Sequence, residues 1–254
     1  MMKLDGPFLR ERLREGGGLG VFWSVLGSSA LVEVAVEAAP DAVVLDAQHG
    51  LWSRQAIEHV VGTVGWKKPV LVRTVDGTSR SLGEALDAGA EGVIAPLVET
   101  AGQAAAIVTA ARFPPEGERS GGGVRPLKGN FSAYYEQARS RTVVGVMIET
   151  ARGLENAAEI AAVPGLDFVL VGTGDLALSL GIAPSDPKHE AACRAVFDAC
   201  RKAAMPCAIF TPNATEAARR VAQGYALTVA ANDIDLVGTG LSAAMARFRE
   251  SRSA

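Results

Sequence analysis

Eight times along the chain, a short β-branched apolar run is followed by a longer stretch rich in Ala, Leu, Glu and Arg. No other feature constrains the fold as strongly. The runs are GVFWSVL (20–26), AVVLDA (42–47), PVLVRTV (69–75), GVIAPLV (92–98), VVGVMIE (143–149), FVLVG (168–172), PCAIF (206–210) and ALTVAA (226–231). Near-continuous apolar runs bounded by turn residues predict strands covered on both faces, as in a parallel sheet. Helices are expected over 28–39, 53–65, 79–90, 100–112, 151–163, 189–204, 213–224 and 241–251. In DAGAEGV, PGLDFV and QGYALTV a glycine ends one helix just before the next strand begins.

Eight βα units without a break in composition predict a single domain over 1–254, an α/β fold of the (β/α)8 TIM-barrel type. An open doubly wound sheet would carry a Gly-rich phosphate turn after its first strand. VFWSVLGSS is not such a turn. Two segments break the rhythm: the loop FPPEGERSGGGVRPLKGNF (113–131), followed by the amphipathic SAYYEQARS, and the connection IAPSDPKH (182–189). Loops as long as the first are usually functional or mobile.

Lys and Arg number 25 against 28 Asp and Glu, a net charge of −3. That balance disfavours a nucleic-acid partner. No apolar run is long enough to cross a bilayer, so no membrane partner is expected. The first residues lack the apolar core of a secretory signal, and a cytoplasmic protein is expected. Cys193, Cys200 and Cys207 form no CxxC pair and read as buried structural thiols.

In a barrel, chemistry collects where strands end and βα loops begin. The strand ends here supply Trp23 and Ser24, then Asp46, Gln48 and His49, then Arg73, Glu149, and the turn Thr173, Gly174, Asp175. Glu149 and Asp175 end neighbouring apolar runs. Two such carboxylates suit a hard divalent cation such as Mg²⁺ or Mn²⁺; the alternative is that each caps the helix that follows. Asp46 lies three residues before His49, a spacing at which it could orient one imidazole nitrogen of a general base. The alternative is a turn histidine held by a local hydrogen bond. Arg73 within a buried strand suits a fork on a carboxylate or developing oxyanion, or a buried ion pair with Glu149 or Asp46. His59 and His189 fall in helical segments and read as structural. None of the six lysines ends a strand, which disfavours a Schiff-base mechanism. Lys128, in the long loop, alone could fold over the mouth.

AVVLDAQHG, VLVRTVDG, LDAGAEGVIAPLVET, FPPEGERSGG, VMIET and GTGDLALSLG occur in order from about residue 18 to about residue 235. Together they resemble the HpcH/HpaI family of metal-dependent (class II) pyruvate aldolases, which includes 4-hydroxy-2-oxoheptanedioate and 2-dehydro-3-deoxyglucarate aldolases. The resemblance implies reversible cleavage of a 4-hydroxy-2-oxo acid to pyruvate and an aldehyde. It also implies a divalent metal (Mg²⁺, Mn²⁺ or Co²⁺) and no organic cofactor. Glu149 and Asp175 would hold the metal. Arg73 would contact the keto acid and the enolate oxygen, and His49 with Asp46 would serve as acid/base. The amides of Gly174 and Asp175 would bind the pyruvate carboxylate, with Gln48, Trp23 and Phe210 as further pocket residues. Asp87 would serve a neighbouring subunit's site in a homo-oligomer, a hexamer or trimer, with the last helix swapped between subunits.

Three departures from the family pattern stand out. Gln48 replaces the usual acidic residue, Gly174 replaces an alanine, and VAANDID replaces a Gly-containing turn after the eighth strand. The alternatives are a lyase acting on a CoA thioester, as in the citrate-lyase β group, and a non-catalytic barrel that binds a small carboxylate. A CoA phosphate patch would have to be built from Arg119 and Arg125.

Overall fold

The computed structural model describes residues 8–124 and 130–252. Eight parallel strands close into a barrel in sequence order, β1 to β8, with β8 pairing back onto β1. They are β1 (Leu19–Ser24), β2 (Ala42–Asp46), β3 (Val70–Arg73), β4 (Gly92–Ala95), β5 (Val143–Ile148), β6 (Phe168–Val171), β7 (Cys207–Ile209) and β8 (Leu227–Asn232). All eight expected strands are present. β4 stops earlier than its apolar run because Pro96 has no amide hydrogen to continue the ladder.

Alternate strand residues face opposite sides of the sheet, and the chain supplies both sides with apolar side chains. Val21, Trp23, Val44, Leu71, Ile94, Met147, Phe168, Leu170, Ala208 and Val229 fill the barrel interior. Phe22, Val43, Leu45, Val72, Val93, Val146, Val169 and Ile209 pack outward against the helices. Gly145 faces inward, where a Cβ would collide with the Phe168 ring.

The outer layer follows the expected helices: α2 (Ser29–Glu37), α3 (Arg54–Val64), α4 (Ser79–Asp87), α5 (Ala101–Ala111), α10 (Pro187–Lys202) and α11 (Ala214–Ala222). Ser28, Ser53, Thr78, Thr100 and Asn213 each accept an amide hydrogen bond at a helix start. The amphipathic stretch after the long loop forms α6 (Phe131–Arg141). Arg125 and Lys128 lie outside the described residues.

Other elements differ from the sequence reading. α1 (Leu9–Glu15) belongs to no βα unit; its Leu9 and Leu13 are buried with the barrel-interior side chains. The expected helix 151–163 is two pieces, α7 (Ala151–Glu155) and α8 (Ala157–Ala161). Asn156 breaks it, its side-chain amide donating to the Glu99 carbonyl at 2.7 Å. The helix read as following Asp175, α9 (Thr173–Leu180), starts directly after β6, with Gly172 as its N-cap and Asp175 inside its first turn.

The last helix, α12, runs from Asp233 to Arg252, well ahead of its expected start at 241. Asp233 is fully buried and accepts from Ser24 Oγ at 2.6 Å and from the Val25 and Leu26 amides at 2.8 and 3.0 Å. These bonds pin the start of α12 to the loop after β1. Farther along α12, Ile234, Leu236, Leu241, Met245 and Phe248 are exposed. All three cysteines are buried free thiols.

Candidate active site

The inward positions of several strands, continued by two residues, leave the apolar core and reach polar side chains at the C-terminal mouth. On β2 the series 42, 44 ends at Asp46; on β3, 71 ends at Arg73; on β5, 143, 145, 147 ends at Glu149. Asp46 and Arg73 are direct partners in the β2–β3 register.

Asp46, 1% exposed, is saturated with donors. Oδ1 accepts from Arg73 Nε at 2.9 Å and from the Gln48 and His49 amides at 3.0 and 3.1 Å. Oδ2 accepts from Trp23 Nε1 at 3.2 Å and from Arg73 Nη2. Burial works to raise the Asp46 pKa, but the hydrogen bonds and charge of Arg73, with the His49 amide and the Trp23 indole, outweigh it and hold the pKa below its ordinary value. Arg73 is thereby locked as a bidentate ion pair, with its guanidinium 5.2 Å from the Trp23 ring centroid. Its Nη1 makes no hydrogen bond to a described residue, leaving donors for a ligand. Trp23 in turn meets Phe210 edge to face at 5.3 Å. Trp23, Arg73 and Asp46 therefore form one packed unit.

The structure corrects one expected contact. Asp46 holds His49 by its backbone amide; the His49 ring is exposed and has no hydrogen-bond partner among the described residues. A carboxylate at the head of a tight turn accepts the amides two and three residues on, and Arg73 takes the rest of its capacity. Gln48 is half-buried, and its Oε1 is buried without a partner among the described residues.

Glu149 is 1% exposed. Its Oε1 accepts from the Leu97 amide at 2.7 Å, while its Oε2 is buried with no donor among the described residues. Burial pushes its pKa up to about 7; the neighbouring Asp175 carboxyl adds to the rise, and the Leu97 amide and Arg73 oppose it. Gly172 makes room for this group, since a Cβ there would overlap Glu149 Oε2. Asp175 is half-buried, in the first turn of α9, whose N-cap is Gly172. Gly174 beside it is exposed, and the first amides of a helix such as α9 have no intrahelical acceptor. Thr173 is held from two sides: its Oγ1 donates to the Phe210 carbonyl at 3.2 Å, and its carbonyl oxygen lies 2.8 Å from His189 Nε2. His189 thus acts as the structural residue it was read to be.

The donor set suits a hard divalent cation. The Asp175 carboxyl sits close enough to raise the cost of ionising Glu149, and one buried Glu149 oxygen lacks a donor among the described residues. A bound cation would relieve both. Among the described residues no group of three or more His, Cys, Asp or Glu side chains converges. Glu149 and Asp175 would therefore be the protein ligands, with substrate and water oxygens completing the shell.

Asp87 is not at this mouth. It ends α4, ahead of β4, and so lies toward the opposite end of the barrel. It accepts from Arg119 Nη2 at 2.8 Å, and that guanidinium stacks 4.6 Å from the Phe113 ring centroid. Arg119 is committed to this pair and offers no phosphate patch. Two site features carry no local sequence signal: the Leu97 amide that orients Glu149, and the Asp233 clamp on the β1 loop.

The family model described as HpcH/HpaI aldolase/citrate lyase matches residues 20–237. The chain belongs to that family. It is 33% identical over 95% of its length to a 4-hydroxy-2-oxovalerate aldolase of Rhodococcus jostii (strain RHA1), with 95% of that protein covered. It is 30% identical to a 2-keto-3-deoxy-L-rhamnonate aldolase of Escherichia coli O17:K52:H18, covering 98% of this chain and 96% of the other. A solved HpcH/HpaI aldolase/citrate lyase family protein from Burkholderia cenocepacia J2315 superposes with a TM-score of 0.88 at 29% identity, over 95% of this chain and 98% of that one. For this family member, Asp46, Arg73, Glu149 and Asp175 are the polar set that its barrel converges at one end.

Proposed function

We propose that the chain is a divalent-cation-dependent pyruvate aldolase that reversibly cleaves a 4-hydroxy-2-oxo acid to pyruvate and an aldehyde. The observation that carries this reading is the buried Glu149 Oε2, without a donor among the described residues and beside Asp175, on the same barrel mouth as the Asp46-locked Arg73. The aldolase names of the full-length relatives support it.

Glu149 and Asp175 would hold Mg²⁺, Mn²⁺ or Co²⁺, and the bound ion supplies Lewis-acid stabilisation of negative charge on the 2-oxo oxygen. The open amides at Gly174 and Asp175 receive the substrate carboxylate at the N-terminus of α9. Arg73, unable to rotate away from Asp46, aims its remaining N–H groups at the keto oxygen, so charge developing there meets a preorganised donor. The His49 ring, free and exposed, takes the 4-hydroxyl proton. The C3–C4 bond then breaks, the aldehyde departs, and C3 of the enolate is reprotonated to give pyruvate. Trp23, Phe210 and Gln48 line the pocket.

Activity lost in excess chelator and restored by Mg²⁺, Mn²⁺ or Co²⁺ is expected, together with exchange of the pyruvate C3 protons in deuterated buffer. Full activity in chelator would remove the cation, and a lysine adduct trapped by borohydride would replace the mechanism with a Schiff base. The exposed apolar side chains of α12 and the placement of Asp87 support a homo-oligomer, hexamer or trimer, in which α12 seats on a second copy and Asp87 serves its neighbour. Three free buried thiols fit a reducing cytoplasm.

A further inference from the structure

Three described residues other than glycine have positive φ: Ala39, Leu97 and Ala204. Ala39 and Ala204 each follow a helix end, where a left-handed residue is ordinary. Leu97 has no such excuse. It lies in the turn after β4, at φ +57°. A branched side chain is strained in that region and glycine is not.

The conformation has a local use. It lets the Leu97 amide donate to Glu149 Oε1 at 2.7 Å while the next amide, Val98, donates to the Met147 carbonyl at 3.1 Å. Glycine would serve both bonds equally well. The leucine side chain is therefore not explained by the hydrogen bonds, nor by packing, since it is 50% exposed. Two other large aliphatic residues are exposed on the preceding βα turns: Leu51, two residues after His49, and Val75, two residues after Arg73.

We propose that Leu97 is a specificity-determining residue that receives the aliphatic chain of the aldehyde half of the substrate. This rests on the aldolase reading. The pyruvate half is anchored at its charged end by Arg73, Glu149, Asp175 and the N-terminus of α9. Its C3, and the aldehyde joined there, must extend outward toward the solvent side of the mouth. Leu97 follows β4 at that end of the barrel, half exposed, with its backbone amide 2.7 Å from Glu149 Oε1. An apolar wall there favours an aldehyde bearing alkyl carbons over one bearing hydroxyls, because each buried methylene contributes to the transition state while an unpartnered hydroxyl is penalised.

The test compares kcat/KM for pyruvate addition to propanal with that for addition to glycolaldehyde, with Mn²⁺ present. Leu97→Gly and Leu97→Asn both suit a left-handed residue and preserve the amide. Each is expected to lower the propanal-to-glycolaldehyde ratio about tenfold, equivalent to about 1.4 kcal/mol, while Leu97→Met keeps it within about threefold. A ratio unchanged in both variants overturns the proposal. An equal loss for both aldehydes also overturns it, since Leu97 would then act only through Glu149. A change in oligomer mass with an unchanged ratio overturns it in favour of a subunit contact. Exchange of pyruvate C3 protons by the wild type tests the aldolase reading separately, because no aldehyde takes part: if exchange persists while the ratio does not move, the aldolase stands and Leu97 loses its role. A wild type that neither exchanges nor ligates removes both.

Discussion

Replacing Glu149 with glutamine separates the electrostatics of the site from its chemistry. In the cation-free protein the Glu149 pKa is raised from 4.5 to about 7, first by burial and then by Asp175. A carboxyl raised by folding costs nothing while it is protonated in both states. As pH climbs from 4.5 through 7, the unfolded chain ionises first and the native state is left behind, so stability falls. At about 1.4 kcal/mol per pKa unit, the loss approaches about 3 kcal/mol by pH 8. Glutamine keeps an oxygen to accept from the Leu97 amide, turns an N–H toward Asp175, and does not titrate.

In excess chelator, Glu149→Gln is therefore expected to match the wild type near pH 4.5 and to exceed it by up to about 3 kcal/mol at pH 8, read from urea unfolding at the two pH values. Adding Mn²⁺ should reverse the order at pH 8, because a cation stabilises only the protein that binds it. Activity should be abolished throughout. A variant no more stable than the wild type at pH 8, or a gain of the same size at both pH values, would refute the placement of Glu149 as an ionisable group held next to Asp175.

Asp46→Asn breaks a buried ion pair and leaves Arg73 with an uncompensated charge; urea unfolding should show a loss of about 3–5 kcal/mol, and kcat/KM should fall with it. Gly172→Ala puts a methyl group against Glu149 Oε2, so the Mn²⁺ concentration for half-maximal activity should rise at least about tenfold, a shift of about 1.4 kcal/mol; an unchanged value would count against Glu149 as a ligand. Asp233→Ala strips the acceptor from Ser24, Val25 and Leu26 and should destabilise by about 2–4 kcal/mol in thermal or urea unfolding, with a smaller effect on kcat than on stability.

The eight strands were legible because each is a short run that buries both faces, and such a run announces itself without reference to its neighbours. Asp46, Arg73, Glu149 and Asp175 were legible for the related reason that charge is rare at the end of a buried strand and conspicuous when it recurs at the same end. Their partnerships were not. The Asp46–His49 spacing is compatible with a carboxylate facing either the ring or the backbone; the β2–β3 register settled it by setting Arg73 directly across from Asp46. The interruption at Asn156 was hidden because its partner, the Glu99 carbonyl, is 57 residues away in the chain.

Local periodicity thus determined that this chain makes a (β/α)8 barrel, and that its ionisable residues gather at the C-terminal mouth. Only the closed barrel decided which of them touch. Closure locked Arg73 onto Asp46, drew the Leu97 amide onto Glu149, and left one buried Glu149 oxygen without a donor among the described residues. Periodicity records which face of an element is buried, whereas a hydrogen bond between strand ends depends on register and side-chain reach, and both come into existence only when the sheet closes.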